Sequence, residues 1–182
     1  MSDIKIYNLR IVPPDPVYNE VTHFKKQFIA TFGKQPLSNS KPHITLAVFK
    51  MDSQYQDILI KIFNQLSTQN KFKLIIQGFE IFENNANVLL LKVPITEDIK
   101  NLITNIKVVW QRDLHRKQST LKLSTTPHIT ISKTEGNKML YQSLAFFQKM
   151  DYTDRQFEVD HLTLISRPKG KTWDWEHQIP LS

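Results

Sequence analysis

The 182-residue chain carries 24 Lys and Arg against 17 Asp and Glu, a net charge of +7, and 40% of its residues are hydrophobic. Its length suits one domain spanning 1–182 with a core of ordinary size, and its basic balance suits polyanions such as RNA or nucleotides as well as a plain solvated surface. No cysteine is present and no run nears the roughly 20 apolar residues of a membrane span, which excludes disulfides, thiolate metal sites and a bilayer helix; a cytoplasmic protein is expected.

Ile4, Ile6, Leu9 and Ile11 alternate with polar residues as in a strand, without the apolar block of a leader peptide. Pro13-Pro14 stops the strand, and Asp15-Pro16 offers an N-cap and first-turn proline for a helix through Val17, Val21, Phe24, Phe28 and Phe32, ending at Gly33. His43 to Phe49 alternates again, and Asp52 or Ser53 can cap a second helix through Tyr55, Leu59, Ile62 and Leu66. Strands are expected over Phe72–Phe82 and Val88–Val93, joined at Glu83–Asn87. Thr96 can cap a helix reaching Trp110, a basic segment from Asp113 to Thr126 reads as a loop, and His128–Lys133 is a strand. A helix over Asn137–Met150 follows, then strands over Phe157–Ser166 and Thr172–Ile179 around an Arg167–Lys171 turn.

Pro42-His-Ile-Thr45 is repeated as Pro127-His-Ile-Thr130. An offset of 85 residues places His43 on His128, Phe72 on Phe157, Leu74 on Val159 and Val88 on Trp173, so each half reads as a helix, a His-x-Thr strand, a helix and a hairpin. In a strand, residues i and i+2 lie on one face about 6.6 Å apart, so each His and its Thr form a polar ledge while the intervening Ile enters the core. One such ledge is an ordinary solvent-facing histidine. Two, related by a pseudo-twofold axis, would converge on one groove. A neutral imidazole can take a proton while a protonated one gives it, which is what phosphodiester cleavage requires at its attacking and leaving oxygens. The threonine hydroxyls can hold the non-bridging oxygens.

These residues resemble the two-histidine (2H) phosphoesterase superfamily, in particular its bacterial 2'-5' RNA ligase and RNA 2',3'-cyclic phosphodiesterase branch. Sharp matching is confined to Pro42–Ala47 and Pro127–Lys133, and Val48-Phe-Lys50 departs from the usual Phe-Leu-Gly after the first motif. The resemblance implies a bilobal α+β fold with two antiparallel sheets lining a central cleft and helices outside. It further implies metal- and cofactor-independent chemistry on RNA ends or nucleotide cyclic phosphates, with His43, Thr45, His128 and Thr130 catalytic and Lys133 on phosphate. His128 would be the base and His43 the acid, leaving a 2'-phosphate. From charge, some of Lys133, Arg167, Lys169 and Lys171, which all follow elements of the second half, are expected to border the cleft, with Lys133 and Arg167 binding phosphate or substrate, and a monomer is expected to suffice.

Two alternatives stand beside this reading. One is a zinc hydrolase using His43, His128 and His161; the other is a non-catalytic module that holds RNA ends or nucleotides. His161-Leu-Thr163 is a third His-x-Thr, read as structural because it falls in a hairpin strand. His115 falls in the basic loop, and His23 and His177 have no supporting neighbours. Trp173, Trp175, Phe79, Phe82 and Tyr152 read as core rather than as platforms for a base.

Overall fold

The structure, a computed structural model, describes residues 3–83, 86–114 and 120–182, so His115 lies outside the described residues. The described elements are β1 (Ile4–Ile11), α1 (Val17–Phe32), β2 (Ile44–Asp52), α2 (Gln56–Phe63), β3 (Phe72–Ile76), β4 (Phe79–Phe82), β5 (Val88–Lys92), α3 (Glu97–Asp113), β6 (Lys122–Leu123), β7 (His128–Lys133), α4 (Gly136–Gln148), β8 (Arg155–Val159), β9 (His161–Pro168) and β10 (Trp175–Pro180). None of the described helices is long and apolar enough to cross a membrane.

The local signals act largely as read. Thr96 Oγ1 accepts the Ile99 N–H at 3.4 Å to start α3, and Asp52 Oδ1 accepts the Gln54 N–H at 3.1 Å to open the turn into α2. Gly33 ends α1 at φ 79°, a conformation that favours glycine. Asp15 does not cap α1: the helix begins at Val17, Pro16 holds the cap position, and no side chain bonds there. The expected strand over Phe72–Phe82 is broken at Gln77-Gly78 and that over Phe157–Ser166 at Asp160. These breaks let each run serve two sheets, since β3 pairs with β8 while β4 and β9 join the larger one. Trp173 lies before β10 rather than in it, and the expected loop contains β6, which pairs with Ala47 and Val48.

The fold is α+β, with an antiparallel sheet in the order β10-β9-β1-β2-β7-β5-β4, β6 on β2, and the two-stranded sheet β3-β8. The large sheet is open and falls into two lobes, β10-β9-β1-β2 and β7-β5-β4. They meet through a single residue pair, Ile44 with Ile129. The β3-β8 ladder contains the pair Lys73–Glu158, flanked by Phe72–Val159 and Leu74–Phe157. The Ile44–Ile129 and Lys73–Glu158 pairs both join residues 85 apart, the offset between the two motifs, so one pseudo-twofold axis passes through both contacts. The halves interlock: β4-β5 pairs with β7 of the second half, while β9 lies against β1 of the first.

The helices cross over in the same way. Phe49 on β2 packs on Phe63 of α2 and Trp110 of α3, whereas Phe79 on β4 packs on Phe24 of α1 and Phe147 of α4. Each lobe therefore takes one helix from each half. Phe28, Phe63 and Phe147 are fully buried, and truncating any of them to alanine should cost about 3–5 kcal/mol. Their packing fixes the outer faces of β2 and β7 and leaves the opposite faces for the motif side chains.

Candidate active site

Both motif strands contain a β-bulge, at equivalent places. Leu9 faces Ala47 and Arg10 faces Thr45, leaving Leu46 as the extra residue of β2; Leu89 faces Ser132 and Leu90 faces Thr130, leaving Ile131 as the extra residue of β7. Simple alternation would turn Lys133 away from Thr130, but the bulge restores it. Thr130 pairs with Leu90 and Lys133 with Val88, and those partners lie two apart on β5, so both face the same side as His128, opposite Lys92. The displaced carbonyls are satisfied: Leu46 O accepts from the Ser124 N–H at 2.8 Å, and Ile131 O from Lys25 Nζ at 3.0 Å. Lys25 is buried, also donates to Leu37 O and Ser40 Oγ, and has its pKa lowered to about 8 by burial.

The two imidazoles are held alike. His43 Nδ1 lies 2.7 Å from Lys41 O, and His128 Nδ1 lies 2.8 Å from Thr126 O. A carbonyl only accepts, so Nδ1 donates in both rings and Nε2 of the neutral ring is left as a proton acceptor. Burial, then the Arg10 charge, lower the His43 pKa to about 4, with Lys25 and His128 adding to the effect and the Lys41 bond opposing it. His128 is lowered by burial, opposed by its bond to Thr126. The His128 charge is thus felt at His43, across the junction of the lobes. Phe82 sets its ring edge-on to His128 with centroids 4.9 Å apart, so it faces the site rather than only the core.

Strand β1 supplies what the sequence reading missed. Arg10 is 6% exposed, and its Nε donates to Asn8 Oδ1 at 3.1 Å; Asn8 Nδ2 in turn donates to Thr45 Oγ1 at 3.4 Å. Arg10 and His43 line a cavity of about 940 Å³ together with His161, Thr163, Trp173 and Glu176. His161 is therefore a cavity residue, correcting its structural reading, and its Nδ1 meets Asp160 Oδ1 at 2.6 Å. Trp173 is 42% exposed and lines this cavity instead of the core, with the guanidinium carbons of Arg10 and Arg167 each 4.9 Å from its ring centroid. Arg167 donates to Lys171 O at 2.9 Å and reaches the cavity border through Trp173, while Lys169 and Lys171 lie exposed on the adjoining turn.

Phe79 and Tyr152 pack with Phe24 as core residues, His23 lies by Phe24, and His177 stacks on Trp175 and meets Asn64 Oδ1 at 2.9 Å. Among the described residues no three His, Asp or Glu side chains are grouped to hold a metal ion. The zinc alternative fails on that geometry: His43 and His161 line one cavity, but His128 does not complete a three-ligand set with them.

The profile of the 2'-5' RNA ligase superfamily matches residues 13–171, most of the chain. The chain belongs to the 2'-5' RNA ligase superfamily. No functionally curated protein matches it. Among solved structures, this superfamily member is similar in fold to TT0787 of Thermus thermophilus, with a TM-score of 0.66 at 14% identity over 96% of this chain and 97% of the other. It is also similar to E. coli LigT, solved with 3'-AMP, with a TM-score of 0.61 at 13% identity over 98% and 96%. Usb1 of Kluyveromyces marxianus, solved with uridine monophosphate, gives 0.52 at 13% identity over 98% and 99%. The 2H motifs read from the sequence fall within the matched span.

Proposed function

We propose that the protein is a phosphodiesterase that opens 2',3'-cyclic phosphates of RNA ends or nucleotides, with His43 and His128 as its acid–base pair. The observation that carries this reading is the matched hydrogen bonding of the two rings: each is tied through Nδ1 to the carbonyl two residues before it, which leaves Nε2 as the nitrogen that exchanges a proton. A water oxygen attacks phosphorus as one imidazole takes its proton, and the other imidazolium protonates the departing ribose oxygen as its bond to phosphorus breaks. The product is a phosphomonoester. Thr45, Thr130 and Lys133 face the non-bridging oxygens, where charge accumulates. No metal is needed in this scheme. Cleavage of a 2',5'-linked diester follows the same proton transfers with a ribose hydroxyl as nucleophile, and ligation is its reverse.

The pseudo-twofold axis makes the ledges alike, and their surroundings make them differ. Arg10 and Lys25 both depress the proton affinity of His43, so the free site favours placing a single proton on His128, opposite to the order implied by resemblance. A cyclic phosphate with sulfur in place of the leaving oxygen needs no acid. It should restore the variant lacking the acid and leave the other defective, which identifies the roles. The reading itself is tested by incubating nucleoside 2',3'-cyclic phosphates and a 2',5'-linked dinucleotide with the protein in EDTA and following the products by 31P NMR. Phosphomonoester formation supports it; tight binding without turnover would favour the non-catalytic module.

A further inference from the structure

Around the proposed pair, the cations differ in what they have left to offer a ligand. Lys25 spends its ammonium on Leu37 O, Ser40 Oγ and Ile131 O. Lys92 is paired with Glu80, and Arg167 donates to Lys171 O. Arg10 is different. It is more than nine-tenths buried and borders the cavity, its Nε donates to Asn8, and among the described residues no carboxylate lies within salt-bridge distance of it. Glu176 is near enough to support its charge without bonding to it. Burial lowers its pKa to about 10, which still leaves it charged at neutral pH. A buried guanidinium without a counter-ion is costly; the Trp173 ring 4.9 Å from Arg10 Cζ offsets part of that cost, and an anion in the cavity would offset more of it.

Register places that space. Arg10 pairs with Thr45 on β2 and with Thr163 on β9, so its side chain rises from the strand next to the His43 ledge, about 4.8 Å away across the sheet. Asn8 has its orientation fixed, because its oxygen accepts from Arg10, which can only donate, and its nitrogen is thereby left to donate to Thr45; the reverse orientation would set two donors against each other at Arg10. With its oxygen accepting from Asn8, the Thr45 hydroxyl keeps its own proton to donate. Arg10 and Thr45 are thereby aimed as a pair.

We propose that Arg10 is a further catalytic residue that binds the non-bridging oxygens of the reacting phosphate on the His43 side, and that Asn8 positions Arg10 and Thr45 for this contact. This rests on the phosphodiesterase reading. The position equivalent to Arg10 in the second half is Leu90, which faces Thr130 across the matching bulge and carries no charge; on the His128 side Lys133 takes the cationic place from the motif strand itself. The two phosphate-facing cations thus enter from unrelated positions, and the fork of Arg10 makes the His43 side the one with bidentate capacity. A substrate phosphate then has one preferred orientation in an otherwise symmetric cleft.

The test uses the full chain and two probes. Inorganic phosphate is titrated while the His43 and His128 ring protons are followed by NMR, and 2',3'-cyclic nucleotide hydrolysis is measured separately. Arg10→Gln should weaken phosphate binding at least tenfold and lower kcat/KM by about 10²–10³-fold. The His43 titration should also move upward, since Lys25 from α1, His128 from β7 and the His161 and Glu176 groups lining the cavity remain in place. Arg10→Ala should recover part of its rate on adding guanidinium but not on adding sodium, a response that a structural role would not produce. Arg10→Lys keeps the charge and should bind phosphate with intermediate affinity, and it serves if the smaller variants do not fold. Asn8→Leu should lower kcat more than it raises KM. Wild-type phosphate affinity and kcat/KM in folded Arg10→Gln would overturn the proposal. If the wild type hydrolyses no cyclic phosphate, the functional reading fails, while the phosphate titration still reports on Arg10.

Discussion

Replacing His43 by glutamine should remove the proposed chemistry and also make the protein harder to unfold in acid. In the unfolded chain this histidine takes up a proton near pH 6.5, and in the folded protein only near pH 4, because burial and the Arg10 charge oppose the cation. Between those values the unfolded state binds more protons than the folded one, so stability falls as the pH falls. The sign is that of a depressed histidine: no cost above pH 7, a growing cost below 6.5, and the full cost below 4. At pH 5 it amounts to about 2 kcal/mol, rising to about 3 kcal/mol at pH 4. Urea unfolding followed by tryptophan fluorescence at pH 7.5 and pH 5 measures it for both proteins. Any constant loss from removing the bond to Lys41 cancels in the comparison between pH values, as does the titration of His128, which both retain. Wild type should lose about 2 kcal/mol more than His43→Gln on going from pH 7.5 to 5. Parallel losses would refute the burial of a neutral imidazole at this position.

Other outcomes follow from the same geometry. The pH profile of kcat/KM should be a bell with its maximum below pH 6.5, since both free-site histidines are depressed, and a maximum at pH 8 would contradict the acid–base pair. Thr45→Val and Thr130→Val should each lower kcat by roughly 10–100-fold, less than loss of either imidazole, because the remaining donors still hold the phosphate. Lys25→Met should cost about 1–3 kcal/mol in urea unfolding, since the bulge carbonyl of Ile131 and its neighbours lose a buried donor. An affinity for oligonucleotides that is indifferent to salt would argue against any run of Lys133, Arg167, Lys169 and Lys171 along the bound chain.

The repeat was legible because its signals are local. Pro-His-Ile-Thr is written twice at an offset that the Ile44–Ile129 and Lys73–Glu158 pairs reproduce, and the helix caps at Asp52 and Thr96 depend on residues a few positions away. What was not legible depends on partners distant in the chain. Whether β4-β5 pairs within its own half or with β7 is decided by the sheet, not by the hairpin. No residue type announces the bulges at Leu46 and Ile131, yet they decide where Lys133 points. Arg10 looks in sequence like one polar residue of an alternating strand; only β2 and β9 on either side of it bury its stem and aim its fork. Trp173 and His161 were read as structural because their strands pattern well, and the cavity that they line is formed by segments far apart in the sequence, from Arg10 to Gln178. Asn8 and Arg10, two apart among the buried apolar residues Tyr7, Leu9 and Ile11, were the one available sign that β1 carries part of the site.

The proposed mechanism requires His43 and His128 to act as one unit in proton transfer, and the direct measurement is the rate of 2',3'-cyclic nucleotide hydrolysis in EDTA by wild type, His43→Ala, His128→Ala and the double variant. Each single variant should lose about 10²–10⁴-fold, and the double variant should be little worse than the slower single one, because a pair that works together is disabled by losing either member. Full EDTA-resistant activity in either single variant, or losses that simply multiply in the double, would contradict the paired role of the repeated motif.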